Sequence, residues 1–224
     1  MQRKGFVYVY PQKEIIDFEV QNGSFGFSFP GADELNRQFK SAKGKERMKI
    51  SQIYTDKQKE FFREAYRVTL NTAIDLRYRA KGYNVHFVLL DDGEMSPLVE
   101  MQFGDKIVRA GMDSKTHRKK GTDGKYPYPN QDFILNQIGC GKLWVSGFHM
   151  WDCVNRLSKR AYQRGAEVMV DEDLTEFIRY NVKDSSFRVE SFPGTNPRER
   201  FGTPDEWKMF MEPRKAPWFF KDYK

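Results

Sequence analysis

Among the thiols and imidazoles of this chain, Cys153 has the setting in which chemistry is most readily explained. The apolar run KLWVSG (142–147) reads as a buried strand ending at Gly147, and the five residues FHMWD separate it from Cys153. A helix is expected from about Asp152 to Arg164, which puts the cysteine in its first turn. Unpaired N–H groups and the helix dipole favour negative charge there. A cysteine so placed has a larger thiolate fraction, and the same N–H groups could steady an oxyanion. Free cysteines also serve as small buried packing residues, and that alternative stays open. His149, Trp151 and Asp152 lie in the same turn, where they would line a pocket around the thiol or simply pack the turn.

Such a thiol needs a scaffold, and the rest of the chain reads as one. GFVYVY (5–10) has the β-branched and aromatic residues of a strand. EIIDFEV (14–20) is a second strand or a continuation of the first after Pro11. KSAKGKERMK (40–49) is expected as an exposed basic loop. Apolar residues recur at helical steps over 56–80, with Asp56 as cap and Gly82 as stop. NVHFVLL (84–90) then reads as a parallel strand covered on both faces. Residues 91–112 resemble an inserted hairpin, and 113–131 a polar loop. A short helix over 132–138, the strand 142–147, a helix over 152–164, the strand AEVMV (166–170) and a capped helix over 171–180 follow. FRVESF (187–192) is a last candidate strand. Strands alternating with helices predict an α/β three-layer sandwich with a mostly parallel sheet. In such a sheet the site lies at the carboxyl ends of the strands.

The composition supports this reading and narrows the function classes. The chain has 224 residues, 39% apolar and 31% charged, enough for one sizeable core. Its net charge of +7 comes from 38 basic and 31 acidic residues, which permits an acidic partner without pointing to one. Basic residues are spread over 37–49, 115–125, 156–164 and 198–215, so nucleic-acid binding is only a weak expectation. No apolar run approaches the roughly 20 residues of a membrane span, and MQRKGFVYVYPQKE lacks the apolar core of a secretory signal. Two cysteines exclude a disulfide scaffold and a four-thiolate zinc site, and the three histidines form no HxxxH pair. A reducing, cytoplasmic setting is expected. Residues 193–224 carry five prolines and the aromatics Trp207, Phe210, Trp218, Phe219 and Phe220. They read as an extended arm beyond a domain spanning 1–192, its aromatics needing this domain or a neighbour to cover them.

The run Gly147, Cys153-Val154, Ala161, Gly165, Val168, Val170, Glu172-Asp173 and Thr175 resembles the isochorismatase-like cysteine hydrolases, which include nicotinamidases. FILNQIGCGKLWVSG upstream, the long helix with NVHFVLL, and GSFGFSFPGADEL extend the resemblance over residues 5–180. It is most specific over 133–175, with insertions near 40–55 and 91–112. The resemblance implies a thiolate, Cys153, that attacks a carbonyl carbon, an Asp as general base and a supporting Lys. Two residues compete for the acid position. Asp17 stands at the right distance from Pro30-Gly31 and is favoured. Tyr10-Pro11-Gln12 follows the better strand and contains no acid, in which case the base is missing. Lys115 fits the lysine best, with Lys119 and Lys120 as rivals. Met150 replaces the family's usual Thr. LLDDGEMSP lacks the histidines of the nicotinamidase metal cluster, so neither metal nor cofactor is expected and nicotinamide is not the expected substrate. Asp91, Asp92 and Glu94 form either a hard-cation site or a solvated turn.

Two functions follow from these expectations. One is a hydrolase of an amide-like or imine small molecule through Cys153, Asp17 and Lys115. The other is a non-catalytic relative serving as a structural subunit of a large assembly, such as a phage virion or head–tail connector. Residues 193–224 would then lace a homo-oligomer or larger complex together, and the protein would reside in the virion.

Overall fold

The computed structural model describes residues 3–22 and 31–175. The strands are β1 (Lys4–Val9), β2 (Asn84–Leu89), β3 (Lys106–Arg109), β4 (Lys142–Gly147) and β5 (Glu167–Thr175). The helices are α1 (Lys13–Asn22), α2 (Ala32–Ser41), α3 (Gly44–Arg77), α4 (Ser114–Arg118), α5 (Gln131–Ile138) and α6 (Asn155–Gln163). The strands form one five-stranded sheet in the order β3-β2-β1-β4-β5, and every neighbouring pair is parallel. This is the α/β sandwich predicted from the alternation of elements.

Period-two alternation along β1 sorts its side chains between two helical layers. Phe6 and Tyr8 face α3: Phe6 stacks on Tyr78 at 3.9 Å between ring centroids, and the Tyr8 and Tyr66 hydroxyls share a buried hydrogen bond of 2.9 Å. Gly5, Leu143 and their neighbours face α5 and α6, whose Leu135 and Ala161 lie beside Leu143. Among the described residues no helix is long and apolar enough to cross a membrane.

Several local expectations are corrected. EIIDFEV forms the helix α1, because Ile16 and Val20, four residues apart, are both fully buried on one face. The basic stretch 40–49 is no loop. Ala42 ends α2, and α3 begins at Gly44 and runs for 34 residues. Lys, Glu, Arg and Met are strong helix formers, so this polar segment is a solvated helix, with Ile50 its first buried anchor. The hairpin over 91–112 is absent: β3 pairs in parallel with β2, and residues 98–105 are held to α3 by side chains instead of a ladder. The Asn71 amide bonds Leu98 O and Glu100 N, and Arg67 pairs with Glu100. Residues 171–175 complete β5 instead of starting a helix, with Asp171, Leu174 and Thr175 buried. The remainder of that expected helix, the strand over 187–192, the glycine-rich segment 23–30 and the arm 193–224 lie outside the described residues.

At Gly147, β4 leaves no room for a side chain against β1. This glycine holds φ at 116°, and a Cβ there would sit 2.2 Å from Val9 O. Gly147→Ala is expected to cost about 3 kcal/mol or more, since it combines a disfavoured backbone with a clash against main chain. The shift in the urea midpoint measures it.

Candidate active site

The chain leaves β1 for β2 and β3 on one side, then returns to build β4 and β5 on the other. The crevice between the carboxyl ends of β1 and β4 is therefore the switch point at which parallel α/β sheets bind ligands. Tyr10 follows β1 there, and Cys153 follows β4 on a π-helical turn, Met150–Val154, that leads into α6.

The backbone is unusual on both sides of the crevice. Tyr10 (φ 59°) and His149 (φ 63°) are the non-glycine residues with left-handed backbone among the described residues. Such conformations persist only where the surroundings impose them. Tyr10 is held by its own N–H, which donates to Val88 O at 2.8 Å, and by its neighbour Gln12. The buried Gln12 side chain accepts from Leu90 N at 2.6 Å and packs where a side chain on Gly93 would stand. The turn after β1 is thereby locked to the turn after β2.

Around the thiol the groups are aromatic and polar. Cys153 is 4% exposed. The Tyr10 side chain lies near enough to favour negative charge on that sulfur. His117, on α4, presents Nε2 at 4.0 Å from Sγ, while its Nδ1 lies 2.9 Å from Pro127 O. The imidazole sits between two tyrosines, with ring centroids 6.0 Å from Tyr10 and 5.7 Å from Tyr128. Asp152 closes the rim: its carboxylate accepts from the Tyr128 hydroxyl at 2.7 Å and from Arg156 at 2.8 Å. The Arg156 guanidinium lies 3.6 Å over the Tyr128 ring.

Burial, and then the Asp152 charge, push the Cys153 thiol up to about 12, with Tyr10 and Arg156 pulling the other way. The resting group at neutral pH is therefore a thiol, contrary to the thiolate expected from a helix N-terminus. Burial outweighs any benefit of the helix start, and the turn offers fewer N–H groups than expected. The turn is a π turn in which the N–H groups of Asp152 and Val154 both donate to His149 O, at 3.0 and 3.2 Å. The Asp152 N–H is already engaged and does not face an oxyanion. Burial also drives Tyr10 well above the usual tyrosine range, so its hydroxyl stays protonated and remains a donor.

No hydrogen bond or ion pair joins Asp17, Lys115 and Cys153 among the described residues. Asp17 lies on α1, where it pairs with Arg63 of α3 at 3.3 Å on a largely solvated face. Once residues 14–20 are helical, the position after β1 falls to Tyr10, the rival in the sequence. Lys115 is exposed on α4. Residues two apart on a helix do not share a face, and it is His117 that α4 turns toward the sulfur. Lys119 and Lys120 are exposed too, with Lys120 Nζ 5.4 Å over the Tyr126 ring. Buried Ala110 follows β3 at the same end of the sheet. His149 is exposed, Asp152 forms the rim, and Trp151 lies within the π turn. In the sequence, the only sign of His117 is an isolated histidine two residues beyond Lys115.

Asp91 and Asp92 act as turn acceptors, bonding Gly111 N at 2.8 Å and Ser114 N at 2.8 Å respectively. Among the described residues no group of three or more His, Cys, Asp or Glu is placed to hold a metal ion.

Asp17→Asn is expected to leave any Cys153-dependent activity unchanged and to alter stability by less than about 1 kcal/mol, as a solvated ion pair should. A loss of activity at constant stability would return Asp17 to the site.

Two solved structures are similar to the chain. One is an isochorismatase from Pseudomonas putida KT2440, at 16% identity and a TM-score of 0.38, covering 77% of this chain and 70% of that one. The other is N-carbamoylsarcosine amidase from Thermoplasma acidophilum, at 19% identity and a TM-score of 0.40, covering 81% of this chain and 89% of that one. No protein-family model matches the chain, and no curated protein matches it. The sheet itself carries the fold class.

Proposed function

We propose that the protein is a cysteine-dependent hydrolase of a small amide-like or imine C–N bond, with Cys153 as nucleophile. The observation that carries this reading is the placement of Cys153 at the β1–β4 switch point, with the His117 imidazole facing its sulfur at 4.0 Å and Tyr10 beside that imidazole. Perturbed ionisable groups converging at a switch point are what a reactive centre requires. The two left-handed residues flanking the crevice support the same reading. The chemistry proposed does not run through Asp17, which pairs with Arg63, or through exposed Lys115. A panel of small amides and imines, assayed for amine or ammonia release, tests the proposal. Turnover that depends on Cys153 supports it. No turnover across the panel, with Cys153 no more reactive than a free thiol, removes it.

A second reading has its own observation. A thiol held up to about 12 beside a tyrosine, where an acid was expected, also suits a relative that has given up catalysis. In that reading the fold is a rigid building block and residues 193–224 bind a neighbouring copy or a larger particle. Light scattering on the full chain and on a chain ending at residue 192 distinguishes the two. An oligomer that dissociates on truncation supports the scaffold; a monomer unchanged by truncation excludes it.

A further inference from the structure

We infer that His117 is the proton acceptor of Cys153, taking the place of the carboxylate base; this assignment deepens the hydrolase reading and rests on it. The tautomer follows from the partner of Nδ1. Pro127 O can only accept, so Nδ1 carries the proton in the 2.9 Å contact, and the lone pair is on Nε2. That lone pair faces Sγ at 4.0 Å, the long end of a thiol hydrogen bond. Contacts of this kind commonly tighten when substrate is bound. The Tyr10 ring lies beside the imidazole, at 6.0 Å between centroids, and its hydroxyl favours negative charge on the same sulfur.

Pro127 and Tyr128 hold the imidazole in this pose. The carbonyl fixes its rotation, and the edge-on Tyr128 ring covers one side. The ionisable groups facing the pair come from every neighbouring element: Tyr10 after β1, Tyr128 before α5, Asp152 on the π turn and Arg156 on α6. Asp152 is balanced by Arg156 and bonded to Tyr128, so its carboxylate steadies the rim while the imidazole handles the proton.

The steps balance without any further reagent. Sγ bonds to the carbonyl carbon as the thiol proton passes to Nε2. The imidazolium returns that proton to the departing nitrogen as the C–N bond breaks, which leaves a thioester. Water then attacks the thioester, Nε2 takes its proton, and the C–S bond breaks with the proton returned to sulfur. Tyr10 stabilises sulfur whenever it carries negative charge. The dyad needs no resting thiolate, which reconciles a catalytic role with a thiol held neutral by burial.

Alkylation by iodoacetamide, read by peptide-resolved mass spectrometry on the full chain, tests the dyad without a substrate. Cys140 in the same digest is the reference thiol. The Cys153 rate is expected to rise in a step and level off well below the pH at which the buried thiol itself ionises. His117→Gln is expected to remove that step and lower the neutral-pH rate by about 10-fold or more, while Cys140 is unchanged. A Cys153 rate that climbs only in alkali, that survives unaltered in His117→Gln, or that is undetectable from pH 5 to 9 overturns the assignment. Should the variant fail to fold, the wild-type profile decides. If the step is present but no amide is turned over, the dyad stands and the hydrolase reading falls. If turnover needs Cys153 but the step is absent, the hydrolase stands and His117 is not its base.

Discussion

Cys153→Ala is expected to lower the hydrolysis of any amide that the protein turns over by about 1,000-fold or more, with the fold retained. The magnitude is that of losing a covalent nucleophile whose function no neighbour can assume. Tyr10 carries a hydroxyl but is held protonated by burial, and Asp152 is paired with Arg156. The imidazole of His117 could still activate water, so a small residual rate is expected instead of none. Removing one sulfur from a site that is 4% exposed leaves a void smaller than a leucine truncation would, and should cost about 1 kcal/mol. Substrate binding should therefore persist, visible as a ligand-induced rise in melting temperature. Initial-rate measurements of amine release decide the matter. A variant within 10-fold of the wild type would move the chemistry off Cys153.

Arg77→Met is expected to destabilise the fold by about 3–5 kcal/mol, the cost of leaving a buried charge without its partner. Arg77 ends α3 and Asp171 lies on β5, and their side chains are 2% and 0% exposed. One guanidinium nitrogen reaches both carboxylate oxygens at 3.1 Å, and the Tyr78 hydroxyl donates to the same carboxylate at 2.5 Å. Leu174 N also donates to that carboxylate, at 3.3 Å. This cluster ties the end of α3 to β5, so its failure would loosen β5 behind the β4–Cys153 turn. Asp171→Asn added to Arg77→Met is expected to recover about 1–2 kcal/mol, because the neutral amide needs no counter-charge. Urea unfolding of the single and double variants supplies the comparison. A single variant within about 1 kcal/mol of the wild type would mean that the pair is solvated when the protein is in solution.

Much of the scaffold is legible from local pattern. Buried runs such as FVYVY, NVHFVLL and KLWVSG, separated by helical periods, lead to a parallel sheet, because burial on both faces leaves its mark on every residue of a strand. Gly147 and the turn to Cys153 are equally legible, since a close approach needs glycine. The differences share one cause. EIIDFEV and KSAKGKERMK read as strand and loop on β-branching and polarity, while the deciding facts are the burial of Ile16 with Val20 and the reach of α3 from Gly44. Over residues 98–105 the expected ladder is replaced by side chains of α3.

By itself, the sequence determined the class of fold, the order of its central elements and the cysteine that stands where such a sheet places its chemistry. Those are properties of spacing along one segment, and local pattern encodes them. Only the tertiary structure decided what surrounds that cysteine. Tyr10, His117 and Cys153 come from three distant segments, and they meet because β1 pairs with β4 and α4 turns His117 inward instead of Lys115. The thiol's protonation was settled in the same way: it depends on burial and on the field of Asp152 and its partners, which exist only once the chain has closed around the sulfur.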